Sequence, residues 1–515
     1  MRKTRGIQLS DMDTLSDAED PESQSKSTLF TLHGQRVRVK MTEAGLSLSP
    51  GRSNTRCWSC RYSRGIPRRV LFAEMVTAVF EVESLSWWER LFGGTQPHKH
   101  AMVVHTFHRA RRKRCQYYDA TLKFYCEDAD EAREWATLVA GAARETGHRP
   151  HSVLVAVNPH GGSGKAKQTW EQTVRPLFML AGIQSKVVET QHMDHAYSLV
   201  KDSTLQELQS YDGIVAVGGD GLFSEILNGL IGVWTSGDAR AAVASKLRLG
   251  HIPAGSTDAV AYSLNGTRLA ITAALHIVLG HRMHLDTMRV DGADGSVKAA
   301  CCYAAYGYMG DIMKHSEPYR KLGPVRYTLT GAFMLLRGRS YDARITYVPA
   351  AGESAEELQT PCRFDCPVCS ASRTLADTIP ELHTPSTEIL AQTASSCKTV
   401  EGRYMSIMII VTPCRSDMSD KGLSPLSHLA DGRLTLVLVK QCSKAEYLRF
   451  LAAIPRTGVR AGMLKYVDVI NVSAVSVTPS GRESSWNVDG ELLKCNRIAT
   501  AVHHAVIPVF AHGVE

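Results

Sequence analysis

The sequence lacks a long apolar run, since no stretch approaches the ~20 uninterrupted apolar residues that a membrane-spanning helix needs. Residues 1–27 are charged and polar and contain no apolar core of a secretion signal. We therefore expect a disordered tail there and only peripheral contact with membranes. The 13 cysteines, in a chain without such a signal, favour reduced thiols in the cytoplasm.

The sequence also has little net charge, with a formal value of +8 over 515 residues. The composition, 44% hydrophobic and 21% charged, is typical of a soluble globular protein with room for two to four domains. The distribution of charge is more informative than its sum. The basic residues concentrate in two clusters within the first 115 residues, namely Arg52, Arg56, Arg61, Arg64, Arg68 and Arg69, then His108, Arg109, Arg111, Arg112, Lys113 and Arg114.

Residues 28–148 consist of short alternating segments followed by a helical pattern. The spacing predicts strands in this region and one helix over 128–145 with Trp135 at its centre. Several strands followed by such a helix resemble a pleckstrin-homology domain, which implies a β-barrel that targets membranes. Its basic loops suit anionic headgroups such as phosphoinositides, although a solvated basic face that binds nothing remains open. Salt-insensitive binding would instead indicate apolar insertion through Trp87-Trp88 and Leu91-Phe92.

Residues 151–285 alternate between predicted strands, such as Ser152–Val157, and predicted helices, such as His195–Ser210, which indicates a mostly parallel sheet. Three of the predicted strands run directly into turns that contain glycine. Loops at the carboxyl ends of parallel strands meet in one crevice. The sequence therefore predicts that the three turns converge; they are Asn158–Lys165, Gly218–Gly221 and Gly255–Asp258.

In the turn Gly218-Gly219-Asp220-Gly221, the Asp220 carboxylate is flanked by glycines, which have no side chain to keep a substrate away. One interpretation is a phosphoryl-transfer site in which Asp220 accepts a proton from an attacking hydroxyl. The alternative is an ordinary strand-to-helix connection in which Asp220 caps the helix that follows.

The turn Asn158–Lys165 matches neither of the common nucleotide motifs. Ala166 stands where a Walker A loop requires Ser or Thr, and Lys167 stands where a dinucleotide fingerprint requires its third glycine. A phosphate cradle with different spacing remains, in which backbone amides of residues 161–165 are the donors.

Residues 286–515 are predicted to be β-rich, with residues 350–400 as a long mobile insertion rich in Glu, Ser, Thr and Pro. The predicted strands are Thr287–Val290, Ala299–Tyr306, Arg344–Tyr347, Tyr404–Val411, Leu434–Val439, Tyr466–Val475 and Ala501–Val509.

Taken in order, the three turns resemble the catalytic domain of diacylglycerol and sphingosine kinases. Ser485–Glu491 near the end of the chain resembles the Asp-Gly-Glu segment of that family. The resemblance covers about residues 152–512 and implies an α/β nucleotide-binding domain followed by a β-sandwich domain. Within the family it is strongest to the ceramide kinases, because they carry a cysteine cluster like Cys362-x3-Cys366-x2-Cys369. Sphingosine kinases place a substrate-binding acid where this sequence has Met313.

The resemblance implies an ATP-dependent lipid kinase that phosphorylates the primary hydroxyl of ceramide, with Asp220 as the proton acceptor. Gly218, Gly219, Asp220 and Asp311 would contact the substrate, and Mg²⁺ would accompany ATP without a ligand that can be named. Regulation by Ca²⁺ stays open. The residues implied in ATP binding are Asn158, Pro159, His160, Gly161, Gly162, Lys165, Thr190, Glu225, Gly255, Ser256, Thr257, Arg320, Arg326, Asp489, Gly490 and Glu491.

The cysteine cluster leaves three interpretations open: a zinc site completed by Cys397, Cys414 or His383, a redox-sensitive or folding role, or no role. His192, His195, His281 and His284 are scattered, which favours structural or solvent-facing positions over catalysis.

The competing hypotheses are a diacylglycerol or sphingosine kinase, a soluble nucleotide kinase, and a lipid-binding scaffold with a decayed kinase site. The presence of Asp220, Lys165, Glu225 and Glu491 argues against decay. We expect a cytoplasmic protein peripherally associated with Golgi or plasma membranes, with ceramide and anionic lipids as partners and no nucleic acid.

Overall fold

A computed structural model describes residues 26–33, 35–50, 67–84, 98–110, 115–162, 164–323, 325–350, 360–371 and 384–514. These residues form two compact units, the first from within Met1–Glu74, Ala78–Val104 and Leu122–Val139, and the second from the rest of the chain. Several sequence predictions fall outside the described residues: most of the N-terminal tail, His383, Arg52, Arg56, Arg61, Arg64, Trp87-Trp88, Leu91-Phe92 and Arg111–Arg114.

The first unit contains most of a seven-stranded sheet whose strands lie in the order β4-β3-β2-β1-β7-β6-β5. In β2, Val37 and Val39 are buried while Arg36, Arg38 and Lys40 are exposed, as the alternation of side chains along a strand requires. A 3-10 turn, Phe72–Glu74, precedes β5. The strands are β1 Ser27–Leu32, β2 Gln35–Thr42, β3 Gly45–Pro50, β4 Arg69–Leu71, β5 Met75–Ser84, β6 His98–Arg109 and β7 Tyr117–Cys126.

One helix, α1 (Ala129–Glu145), follows this sheet, as the sequence predicted. Its Trp135 is fully buried and meets Phe30 of β1 edge to face at 5.8 Å between ring centroids. The indole N–H also donates to Thr28 Oγ1 at 3.0 Å, so both the apolar and the polar part of the side chain have partners.

The second unit begins with four parallel strands in the order β9-β8-β10-β11. The strands β8 (Ser152–Val157) and β10 (Gly213–Gly218) are buried on both faces, which explains their unbroken apolar sequences. The other elements of this part are α2 Ala166–Thr169, a π-helical turn Trp170–Val174, α3 Arg175–Leu180, β9 Gln184–Glu189, α4 His195–Lys201, α5 Leu205–Gln209, α6 Asp220–Trp234, α7 Arg240–Ala244, β11 Arg248–Pro253, α8 Ala259–Asn265 and α9 Ala270–Val278.

The prediction of one helix from His195 to Ser210 is wrong. The first helix ends at Lys201, and Thr204 begins a second one with a capping box. The Thr204 hydroxyl accepts from the Glu207 N–H at 3.2 Å, and the Glu207 carboxylate accepts from the Thr204 N–H at 3.0 Å. These reciprocal bonds satisfy N–H groups that a continuous helix would have bonded internally.

The rest of the second unit is β-rich and adds to the same sheet, because β11 also pairs in parallel with β21. Two long strands, β16 and β18, each pair with β15 along one half and with β17 along the other. The four strands therefore surround an apolar core that contains Ile345, Leu436 and Trp486. The strands are β12 Met283–Gly292, β13 Val297–Ala300, β14 Tyr303–Gly307, β15 Tyr341–Pro349, β16 Lys398–Ile410, β17 Leu434–Lys440, β18 Val467–Ser480, β19 Trp486–Val488, β20 Glu491–Leu493 and β21 Ile498–Val509.

The β-rich prediction missed the helices of this region. The three longer ones run between strands, and the signal for the last of them was present as the capping box Ser443-x-x-Glu446. Short 3-10 segments occur at Glu317–Leu322 and Ala394–Ser396. The helices are α10 Tyr308–Ser316, α11 Val325–Arg337, α12 Pro367–Ala371, α13 Ser386–Gln392 and α14 Lys444–Thr457.

One further prediction needs correction. The single strand predicted over Ala299–Tyr306 is divided into β13 and β14 at Cys301–Cys302. Where it is described, the insertion predicted over 350–400 contains α12, α13 and the beginning of β16, and its mobility stays a prediction. No helix among the described residues is long and apolar enough to cross a membrane.

Candidate functional site

The three glycine turns lie at the carboxyl ends of β8, β10 and β11, which are adjacent parallel strands. Their backbones are in direct contact. A Cβ atom placed on Gly255 would lie 2.4 Å from the Cα of Gly219, and one placed on Gly162 would lie 2.6 Å from the Cα of Gly255. Gly162 also has a φ of +58°, a conformation that side chains resist. The geometry therefore requires glycine at the points where the turns touch.

The first turn is shaped by Asn158. Its side-chain Oδ1 accepts from the backbone N–H groups of His160, at 3.1 Å, and Gly161, at 2.9 Å. Pro159 lies between Asn158 and His160, and the Gly164 N–H donates to the Gly161 carbonyl at 3.0 Å. Lys165 precedes α2 and is exposed, as is Gly162, so a cationic side chain stands at the rim of the three turns.

Asp220 is the first residue of α6 and is half-buried. Its two oxygens accept hydrogen bonds from the backbone N–H groups of Ala259, at 2.9 Å, and Val260, at 3.0 Å. The alternative in which Asp220 caps its own helix is wrong, because Gly219 occupies that position and no side chain caps α6. The carboxylate instead holds the first turn of α8, and these two bonds fix its orientation at the meeting point of the turns.

The third turn contains a residue to which the sequence analysis gave no role. Asp258 is buried, and its Oδ1 accepts from the Gly255 N–H at 2.8 Å. Arg268 pairs with its Oδ2 at 2.8 Å and also donates to the Gly255 carbonyl at 2.9 Å. Burial raises the pKa of Asp258, while His251 and the Arg268 guanidinium oppose that shift. Asp258 belongs to the glycine turn predicted from the sequence, but no local pattern indicated Arg268, which lies ten residues further on. Ser256 and Thr257 are exposed at the tip of this turn.

Two further residues implied in nucleotide binding lie on the neighbouring elements. Glu225, in the second turn of α6, accepts from the Ala196 N–H at 3.1 Å. Burial raises its pKa, and the carboxylates of Asp194 and Glu491 add to the shift. Thr190 follows β9 and is buried, with its N–H donating to the Val157 carbonyl at 2.8 Å. Both residues therefore lie near the edge of the sheet where the turns meet.

The segment Asp489–Glu491 combines a buried and an exposed carboxylate. Asp489 is buried and accepts from the N–H groups of Cys301, Cys302 and Tyr303 at 2.7, 3.0 and 2.8 Å. These bonds hold the chain where β13 ends and β14 begins. Burial raises the pKa of Asp489, against the effect of the three N–H groups. Gly490 has a φ of +88°, and the exposed Glu491 pairs with Lys298.

The structure places Asp311 among side chains of the β-rich region. It is buried in α10 and accepts hydrogen bonds from the hydroxyls of Tyr341 and, at 2.7 Å, Ser484. Its substrate-binding role stays a prediction. Arg326 lies in α11 with its guanidinium over the Tyr327 ring, and Arg320 lies in the 3-10 segment 317–322 with its side chain outside the described part.

The three cysteines of the cluster come together with a histidine that the sequence analysis did not consider. Cys362, Cys366, Cys369 and His428 are buried, and their ligand atoms all lie within 4.8 Å of one another. Cys397 and Cys414, the predicted alternatives, are not in this group. His428 follows Cys366 by 62 residues, so no local spacing indicated it.

The four scattered histidines do not join the glycine turns. His192 is exposed and stacks on His195 at 4.9 Å between centroids, while His284 is buried. Burial lowers the pKa of His281 to about 3, which keeps the ring neutral.

Comparison with known proteins identifies the family of this chain. Residues 152–290 match the family model of the diacylglycerol kinase catalytic domain, and residues 369–515 match that of the ceramide kinase C-terminal domain. The ceramide kinase of Homo sapiens is 32% identical, over 93% of this chain and 96% of the relative. The chain belongs to the ceramide kinase family. The ceramide kinase of Mus musculus is 31% identical, over 93% of this chain and 97% of that protein.

Among solved structures, a putative diacylglycerol kinase from Bacillus anthracis aligns with a TM-score of 0.47 at 14% identity, covering 70% of this chain and 97% of that one.

Proposed function

We propose that the protein is a ceramide kinase, which transfers the γ-phosphoryl group of ATP to the primary hydroxyl of ceramide. The observation that carries this proposal is the position of Asp220. A half-buried carboxylate stands where three glycine turns touch, in a chain of the ceramide kinase family. A phosphoryl-transfer site needs an oriented proton acceptor beside a surface of backbone donors.

In this mechanism Asp220 takes the proton from the ceramide hydroxyl as its oxygen forms the new bond to phosphorus. The bond between that phosphorus and the bridging oxygen breaks at the same time, leaving ADP, and the proton stays on Asp220 until it passes to solvent. The N–H groups of Ala259 and Val260 keep the carboxylate in one orientation throughout. Fixed geometry of this kind removes much of the entropic cost of bringing the reactants together.

ATP would lie over the glycine turns, because their tips are exposed at Gly162, Ser256 and Thr257. Together with the exposed Lys165, Ser256 and Thr257 surround these tips with a cation and two hydroxyls. Helix and turn N–H groups favour bound phosphate through their partial positive charge.

The carboxylates beside the turns also fit Mg²⁺, which prefers oxygen ligands. Burial and the carboxylates of Asp194 and Glu491 raise the pKa of Glu225, so negative charge there lacks compensation. Glu225 is the residue that would hold the ion. When bound, Mg²⁺ supplies charge neutralisation for the phosphates.

An apolar face of α11 supports a lipid substrate. Val325, Leu329, Phe333 and Leu336 recur at helical spacing and are between 47% and 70% exposed. A cavity of about 320 Å³ is lined by Leu322, Leu329 and Phe333 among others. Burying these side chains against the hydrocarbon chains of ceramide would remove the cost of exposing them to water.

We further propose that the first unit is a pleckstrin-homology-like domain that binds anionic membranes. This proposal is supported by its sheet, by helix α1 and by exposed basic residues of the described part, including Arg36, Arg38 and Lys40 on β2. Each such residue would contribute ~1 kcal/mol near an anionic leaflet. Binding to phosphoinositide liposomes should weaken steeply with salt, and an Arg38→Glu, Lys40→Glu variant should bind more weakly and with a shallower dependence on salt. A peripheral Golgi or plasma-membrane location is part of the same proposal.

The substrate assignment is tested by a panel of ceramide, sphingosine and diacylglycerol in mixed micelles with ATP. Ceramide should be the preferred acceptor, and Asp220→Asn should abolish turnover of all three. A preference for sphingosine or diacylglycerol would sink the substrate assignment but leave the site intact. No turnover of any lipid by a folded, ATP-binding protein would favour the scaffold alternative.

A further inference from the structure

The cluster of Cys362, Cys366, Cys369 and His428 joins two distant parts of the chain. The cysteines lie in the segment 360–371, where α12 carries Cys369, and His428 lies in the segment between β16 and β17. All four side chains are buried in the core of the second unit. The mechanism proposed above uses none of them.

The distances within the cluster are close to those of a metal site. The Sγ atoms of Cys362 and Cys369 are 3.6 Å apart, and the Sγ of Cys366 lies 3.2 Å from Nδ1 of His428. A tetrahedral Zn²⁺ with Zn–S bonds of ~2.3 Å and a Zn–N bond of ~2.0 Å separates its ligand atoms by about 3.5–3.8 Å. A disulfide would bring two sulfurs to ~2.05 Å. The separation between the two sulfurs is therefore that of ligands around an ion, and the separation between sulfur and nitrogen is somewhat shorter.

The charges beside the cluster favour metal-bound thiolates over neutral thiols. Arg415 is buried and donates to the Cys362 carbonyl at 2.8 Å, and it makes no salt bridge with a carboxylate of the described residues. A buried guanidinium without a negative partner is costly. Zn²⁺ with three thiolates and a neutral imidazole carries a net charge of −1, which would balance that of Arg415.

We propose that Cys362, Cys366, Cys369 and Nδ1 of His428 bind a structural Zn²⁺ ion. Three sulfurs and one nitrogen complete a tetrahedron and leave no open position for water, which is the pattern of structural rather than catalytic zinc sites.

The ion would tie the segment 360–371 to the segment 411–433, which contacts the third glycine turn. In the latter segment the Arg415 N–H donates to Ser263 Oγ of α8 at 3.0 Å. Asp417 pairs with Arg268 at 2.7 Å, and Arg268 pairs with Asp258. The zinc site therefore stabilises the segment that supports the turn beside Asp220.

Metal analysis of the full chain, purified under reducing conditions from zinc-supplemented medium, tests the proposal without any activity measurement. We expect about one zinc per chain, and X-ray absorption at the zinc edge should show three sulfur ligands and one nitrogen. Folded protein that contains no zinc and takes up none in a titration would overturn the proposal. So would a Cys362–Cys369 disulfide in that metal-free protein, detected by mass spectrometry.

Variants assign the ligands. Cys366→Ala and His428→Leu should lose at least about tenfold in zinc affinity, whereas Cys397→Ser and Cys442→Ser should retain the full zinc content. Because ligand removal can prevent folding, His428→Cys serves as a second variant that keeps zinc and converts the absorption spectrum to four sulfurs. An unchanged spectrum in His428→Cys, or loss of zinc in Cys397→Ser, contradicts the ligand set.

Discussion

The turn that carries Asp220 and the turn that carries Asp489 are built from the same kind of parts but differ in exposure. Each contains an aspartate beside glycine, and each aspartate accepts backbone N–H bonds from a neighbouring segment. Asp220 has two such bonds and is half-buried at the edge of the parallel sheet. Asp489 has three and is buried between β13 and β14. An aspartate followed by glycine is thus half-exposed at the end of the parallel sheet in one place and holds strands together in the other.

The largest expected effect is on turnover in Asp220→Asn. The amide cannot accept the hydroxyl proton, so kcat should fall by about 10²–10⁴. The melting temperature should change little, since the amide oxygen still accepts one of the two N–H bonds. Initial rates with ceramide micelles and thermal unfolding of the same sample measure both. Near-normal turnover would show that Asp220 is not the proton acceptor.

Gly255→Ala tests the contact between the turns. The added Cβ would lie 2.4 Å from the Cα of Gly219, so we expect a loss of about 1–3 kcal/mol in the free energy of unfolding and weaker ATP binding. Gly221→Ala is the matched control, because its Cβ would meet nothing within 4 Å. That control should be neutral or more stable by up to about 1 kcal/mol in urea unfolding. Equal stability of the two variants would mean that the turns do not touch.

Asp489→Asn should lower stability more than turnover, which is the reverse of what we expect for Asp220→Asn. The new amide N–H would face backbone donors, leaving buried groups unsatisfied, at a cost of about 1–3 kcal/mol in unfolding free energy. Turnover per folded molecule should fall far less than in Asp220→Asn. The half-exposed Asp468, paired with Lys440, provides the control, since Asp468→Asn should cost under about 1 kcal/mol. A large loss of turnover at unchanged stability would instead indicate that Asp489 acts directly in catalysis.

The smallest expected effect is on the pH dependence of stability through Glu225. Burial raises its pKa in the folded protein, so folding favours the protonated form. Its contribution to the free energy of unfolding therefore grows as the pH falls through the raised pKa and levels off below the unfolded pKa of ~4.3. Relative to Glu225→Gln, the wild type should gain in melting temperature as the pH falls from neutral toward the unfolded pKa. A pH-independent difference would mean that burial does not govern this carboxyl.

Much of the parallel part of the fold was readable from local patterns. The strand Ser152–Val157 was predicted with its observed bounds, and the position of each glycine turn after a strand followed from the order of motifs. The helices of the β-rich region were missed because apolar alternation dominated the interpretation, even where Ser443 and Glu446 signalled a cap. The division at Cys301–Cys302 could not be predicted locally, since the N–H groups there bond to Asp489, which is 187 residues away from Cys302.

The sequence by itself determined which residues are able to do the chemistry: the glycines that allow close approach, Asp220 as an acid in such a turn, and three closely spaced cysteines. Their order along the chain also determined that parallel strand ends would bring the turns together. Only the tertiary structure decided their partners. Asp220 bonds to α8 rather than to its own helix, Arg268 joins Asp258, and His428 joins the cysteines. Such partners depend on packing between segments that are distant in the chain, and no spacing within one segment encodes them.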